Sequence, residues 1–147
     1  MIEPALLVAD LIVDHLSATA WDLTTSFSRA YLDDVPAIND ETRRLWVMPG
    51  DTQTQTGVRS RQHDELQTTW LLFAAKVPDS TADTLDPVVD LTRAIRNDLA
   101  AWQIKREPGF EKYQSAGLQT ADLYDYEALR EHGIFLQLFG FRWRWEP

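Results

Sequence analysis

The chain has 147 residues and a mass of 16.9 kDa, enough for one domain with a real core and too few for two. It contains no cysteine, which excludes disulfides, thiolate nucleophiles and Cys-ligated zinc. With 14 Lys and Arg against 23 Asp and Glu the net charge is −9, poorly suited to gripping phosphate backbones, where affinity comes from cations displacing counterions.

Met1–Ala20 reads as a helix. Leu7, Val8, Leu11, Ile12 and Leu16 form an apolar stripe wider than one buried face requires, interrupted by Asp10, Asp14 and His15. The run Ala5–Leu16 follows Glu3 rather than a basic region, and it is too short and too charged for a signal peptide or a membrane span. Cytoplasmic synthesis is the corresponding expectation. Phe27–Leu32 reads as a strand, with Phe27, Arg29 and Tyr31 on one face, and a turn-rich stretch Asp33–Glu41 follows. Arg44–Met48 reads as a second strand, stopped by Pro49-Gly50.

Asp51–Gly57, DTQTQTG, carries no large apolar residue and joins two strands, so Gly50–Arg61 is expected to be a long projecting hairpin loop. Little apolar burial offsets the ~1–2 kcal/mol per residue needed to fix such a backbone. The loop is therefore expected to order only against a partner, through Arg59 and Arg61, whose guanidinium groups can bind carboxylates bidentately.

Leu66–Val77 is the longest β-favouring run. Leu66, Thr68, Trp70 and Leu72 fall on one face, with Gln67, Thr69 and Leu71 on the other, and by Leu71–Ala75 both faces are apolar. That pattern marks a strand passing from a half-exposed margin into a covered interior, the central strand of its sheet. Asp86-Pro87 resembles an N-cap with proline at the first helical position. Val88, Leu91, Ile95, Leu99 and Trp102 then recur at steps of three and four, with Arg93, Arg96, Asn97 and Asp98 largely opposite.

Gln103–Gly117 reads as loop, and Thr120–His132 as a short helix closed by Gly133. Ile134–Trp145 is the last strand. Phe135, Gln137, Phe139, Phe141, Trp143 and Trp145 share one face, while the other turns from Ile134, Leu136 and Leu138 to Arg142 and Arg144. Strands joined mostly by loops, with helices in separate blocks, predict an α+β domain over residues 1–147. Its sheet would be mostly antiparallel, of about four strands, and covered by helices.

No catalytic set emerges. His63 and Glu65 share a strand face, but two ligands do not make a metal site, and His15 and His132 lie on separate helices. Asp33-Asp34 suits a turn, and Asp122 and Asp125 suit a helix start. Neither H-E-x-x-H, G-x-S-x-G nor a glycine-rich phosphate loop occurs. The alternation in Arg142-Trp143-Arg144-Trp145 fits an edge strand blunted by charge or a subunit contact better than a nucleic-acid platform. No enzyme, cofactor or metal is expected.

The order of these segments carries a resemblance. A lead helix precedes Phe27-Ser-Arg-Ala-Tyr31 and Leu45-Trp-Val-Met-Pro49. A polar loop ending Arg59-Ser-Arg61, then Asp64-Glu65, leads to an apolar strand closing on Lys76. An amphipathic stretch Asp83–Trp102 follows, and His132-Gly133-Ile134-Phe135 opens a strand ending in aromatic-Arg. This order resembles the tail-terminator (tail-completion) neck proteins of long-tailed bacteriophages. The resemblance implies a virion protein that forms a ring, most simply a homohexamer, at the head-proximal end of the tail. Such a ring ends tail-tube polymerisation and joins the tail to the head-side neck. Its implied partners are itself, the tail-tube protein and a neck or connector protein, with DNA passing an acidic lumen without specific binding and no membrane involved. Assembly contacts are expected at Arg59, Arg61, Asp64, Glu65, Arg93, Arg96, Arg142 and Arg144. A head-closure or connector subunit of the neck, or a non-viral soluble interaction domain, is the alternative reading of the same texture.

Overall fold

A computed structural model of the chain describes residues 3–19, 21, 25–31, 43–55, 64–120 and 124–145, with backbone alone at 51–55 and 64–65. The fold is α+β, as expected, built on a five-stranded mixed sheet. Its elements are α1 (Pro4–Ser17), β1 (Thr25–Arg29), β2 (Arg43–Gln55), β3 (Asp64–Lys76), α2 (Ala82–Ala101), a 3-10 turn (Ile104–Arg106), β4 (Tyr113–Thr120), α3 (Tyr126–His132) and β5 (Ile134–Trp145). The strand order is β1-β2-β3-β5-β4. The Leu66–Val77 run is thus the central strand. All pairings are antiparallel except β1 with β2, and the chain between Arg29 and Arg43 is long enough for the crossover that parallel neighbours need.

Alternation decides which side of the sheet is dry. Leu71, Phe73 and Ala75 of β3 face the same side as Leu45 and Val47 of β2 and Phe135, Phe139, Phe141 and Trp143 of β5. Onto this side pack Val8, Ile12 and Leu16 of α1 and Val88, Ile95 and Leu99 of α2. The wide stripe of the first helix resolves accordingly, with Val8, Ile12 and Leu16 buried and Leu7 and Leu11 half-buried. The two helices are clasped together: His15 Nε2 lies 2.6 Å from Asp98 Oδ2, and its ring stacks on Trp102 with centroids 4.6 Å apart. The Trp102 indole N–H in turn donates to Glu107 Oε1 at 3.0 Å.

Several boundaries differ from expectation, each for a local reason. β2 does not stop at Pro49-Gly50 but continues to Gln55, with a register irregularity between Pro49 and Thr52. Bulges tolerate proline, which has no N–H to give the ladder. Glycine is required beside it, because a Cβ at Gly50 would collide with the Thr68 carbonyl. The loop expected from Gly50 is not found over residues 51–55, which are strand, and residues 56–63, including Arg59 and Arg61, lie outside the described residues.

α2 starts at Ala82, after Thr81, and Pro87 lies inside it. Among the described residues no side chain caps its first turn; just ahead of it Asp79 Oδ1 accepts from Thr81 N at 3.0 Å and Thr81 Oγ1 at 2.6 Å. These bonds hold the Asp79 carboxyl below its ordinary value. β4 occupies part of the expected loop. Its register shifts between Ser115 and Leu118, and Gly117 sits there at φ 91°, a backbone conformation that side chains resist. The strand runs on to Thr120, so the last helix begins at Tyr126 rather than Thr120. Asp125 caps it, accepting from Ala128 N at 3.1 Å, and Gly133 closes it at φ 62°. Asp33-Asp34 and Asp122 lie outside the described residues.

Removing the Asp125 cap leaves a backbone donor of α3 unsatisfied. Asp125→Ala is expected to cost about 1 kcal/mol of stability in urea unfolding, whereas Asp125→Ser retains most of it. A second expectation concerns Tyr113, buried between Phe110, Trp143 and Trp145. Burial, and secondarily the Glu3 charge, raises its phenol above the ordinary tyrosine value. The folded chain therefore keeps this proton after the unfolded chain has lost it. The contribution is complete below the unfolded value near pH 10 and is lost as pH rises through the raised folded value. Tyr113→Phe should consequently flatten the loss of stability in alkaline thermal melts.

Candidate functional site

The reverse side of the sheet is assembled from the even positions of β3 and β5. On β5 these are Ile134, Leu136, Leu138, Gly140, Arg142 and Arg144, which pair in unbroken register with Lys76, Ala74, Leu72, Trp70, Thr68 and Leu66. Trp46 lies opposite Leu72 on β2, and Met48 opposite Trp70. Among the described residues, helix cover reaches this side only through Ala128 of α3, over the end formed by Leu72, Ala74, Ile134 and Leu136. Beyond that end most of the apolar residues lose part of their cover, although Leu66, opposite Arg144, is buried. Leu138 is 44 % exposed, and Trp46, Met48 and Trp70 are half-buried.

Trp70 lies across its neighbours on both sides. A Cβ at Gly140 would come within 3.1 Å of Trp70 Cζ3, and one at Gly50 within 2.7 Å of Trp70 Cδ1. The indole thus spreads from β2 to β5 over two glycines that leave room for it. A large aromatic laid over strand glycines recovers the packing those residues cannot supply themselves.

Arg142 and Arg144 continue the row past Trp70, opposite Thr68 and Leu66, and both are half-buried. The Arg144 Nε atom is buried without a hydrogen-bond partner, and among the described residues no ion pair engages either arginine. Desolvating a guanidinium donor without a partner is unfavourable, so this end of the face is poised for an acceptor. This half-buried Trp, Met and Arg set, with exposed Leu138, includes the Trp, Met and Arg types enriched at the centres of protein interfaces.

The expected contact residues do not form a single patch. Asp64 and Glu65 open β3, where their backbones pair with Gln55 and Thr54, next to the Leu66–Arg144 pair. Arg93 and Arg96 belong to α2, on the helix-covered side. Arg93 is exposed, while Arg96 is half-buried and donates from Nε to the Thr92 carbonyl at 3.4 Å. Of the expected contact residues whose side chains are described, only Arg142 and Arg144 fall on the uncovered face. Sequence reading had assigned Trp70 and Leu138 to strand faces without separating their exposure from that of the core. The signal that could have done so is the pair Gly50 and Gly140, which places bulk-free backbone on either side of Trp70.

The chain matches neither a protein-family model nor a curated protein sequence.

Gly140→Val tests the seating of Trp70. The new side chain must displace the indole or Thr68, and overpacking of this kind costs about 1–3 kcal/mol. In a Trp70→Ala background the same substitution should cost markedly less, giving a non-additive double-mutant cycle by urea unfolding. Additive costs would show that Trp70 does not rest on Gly140.

Proposed function

We propose that this protein is a structural subunit of an assembly, a tail-terminator-like ring at the head-proximal end of a long-tailed phage tail. In that role it ends tail-tube polymerisation and offers a joining face to the head-side neck. The observation that carries the assembly reading is the uncovered sheet face, with Trp46, Met48, Trp70 and Leu138 in one apolar field and Arg142 and Arg144 at its margin. A chain gains by covering such a field, and partner association covers it while giving the buried Arg144 Nε an acceptor. The segment order that resembles the tail-terminator family supports the more specific part. So does the charge of −9, which lets duplex DNA pass a lumen without adhering.

The reading assigns the chain no catalytic step. Its work is geometric: to occupy the growing end of a tube and to present a different surface on the far side. Assembled rings, hexameric in the simplest case, are expected in native mass spectrometry and negative-stain images, and they should cap isolated tail tubes. A strict monomer that also ignores tube ends would overturn the proposal.

A further inference from the structure

The sheet carries two unlike surfaces on its opposite sides. On one lies the uncovered face that ends in Arg142 and Arg144. On the other, α2 buries Val88, Ile95 and Leu99 against the core and turns Asp83, Asp86 and Asp90 outward, all three exposed. Those aspartates sit at steps of three and four, so they form one line along the N-terminal half of the helix.

We propose that the uncovered face of one copy receives the acidic ridge of α2 from a second copy. This rests on the assembly reading above and names its contact. Three observations favour the pairing. The charges are complementary, two arginines against three aspartates, in a chain whose cations are outnumbered overall. The spacings agree: Arg142 and Arg144 stand roughly 7 Å apart along a strand, and Asp86 and Asp90 roughly 6 Å apart along a helix. The buried Arg144 Nε has no hydrogen-bond partner among the described residues, and a carboxylate from a neighbour supplies one.

The geometry also dictates the kind of assembly. Because the two surfaces lie on opposite sides of one layer, a copy cannot satisfy its own face. Two copies related by a twofold axis would set like surface against like. The contact is therefore head-to-tail, and such contacts propagate until they close into a ring or continue as a filament.

Charge reversal tests this directly. Arg142→Glu with Arg144→Glu, and separately Asp86→Lys with Asp90→Lys, are each expected to weaken self-assembly at least about tenfold in sedimentation velocity, because like charges then face each other. Combining all four substitutions should restore assembly to nearly the wild-type concentration dependence. Circular dichroism reports whether each variant is folded, and the exposed α2 pair tests the contact even if the half-buried arginine pair fails to fold. Wild-type assembly unaffected by the α2 reversal would overturn this contact and leave the assembly reading standing. Loss of assembly in each pair without recovery in the folded fourfold variant would also overturn it. A wild-type chain that stays monomeric at every concentration would overturn both.

Discussion

The unbroken antiparallel register between β3 and β5, from Leu66–Arg144 to Lys76–Ile134, is the constraint on which the rest of the molecule depends. Side chains in a strand alternate with a period of two, so a slip of one residue would exchange the faces of the slipped strand. Phe135, Phe139 and Phe141 would then meet solvent, and Arg142 and Arg144 would enter the core. Burying an unpaired guanidinium is far more costly than any loss of packing, so the arginines at the end of β5 fix the register as firmly as the aromatics do. Trp143 adds a directional lock: its indole N–H donates to Thr69 Oγ1 at 2.9 Å inside the core.

Once that register is set, the asymmetry of cover follows from the helices. α1 and α2 meet across the aromatic side, joined by the His15–Asp98 contact and the stack on Trp102. α3 has only seven residues and is tied to β5 by the bond from Asp125 N to the Leu136 carbonyl at 2.7 Å. A helix of two turns spans roughly 10 Å, which is less than half the length of the strands it lies against. The uncovered field around Trp70 is thus a consequence of element length. Glycines at positions 50 and 140 leave room for the indole of Trp70 between β2 and β5.

What the sequence made legible divides along the same physical line. β5 could be read from end to end, because its alternation runs through twelve residues without a breaker and only one face changes character. The buried stripe of α2 was equally clear from Val88 to Trp102. Its start was obscured because Asp86-Pro87 mimics a cap, while the true start lies among hydroxyl and carboxylate bonds of Asp79, Thr81 and Thr84 that polarity patterns do not reveal. β4 was hidden by the bulge at Gly117, which interrupts the alternation that identifies a strand. The strand character of residues 51–55 was hidden because polar side chains there carry no burial signal, although the backbone still pairs. The margin formed by Arg142 and Arg144 was visible as a cationic turn of one face. The contact between His15 and Asp98 was not, since residues 83 positions apart share no local pattern.

Placing Arg142 and Arg144 beside an apolar field on one side of a layer, and Asp83, Asp86 and Asp90 on the other, bears on the state of association. A chain of net charge −9 repels its own copies at long range, so indiscriminate aggregation through the apolar field is opposed. At short range the balance differs. Screening reduces the general repulsion beyond roughly 8–10 Å in physiological salt, whereas close arginine–carboxylate pairs with little intervening water are screened much less. Under the proposed contact, association is favoured in the orientation that brings the arginine margin to carboxylates. In that contact the charges that keep isolated copies apart also favour one docking direction, and one direction repeated is what an assembly of defined geometry requires.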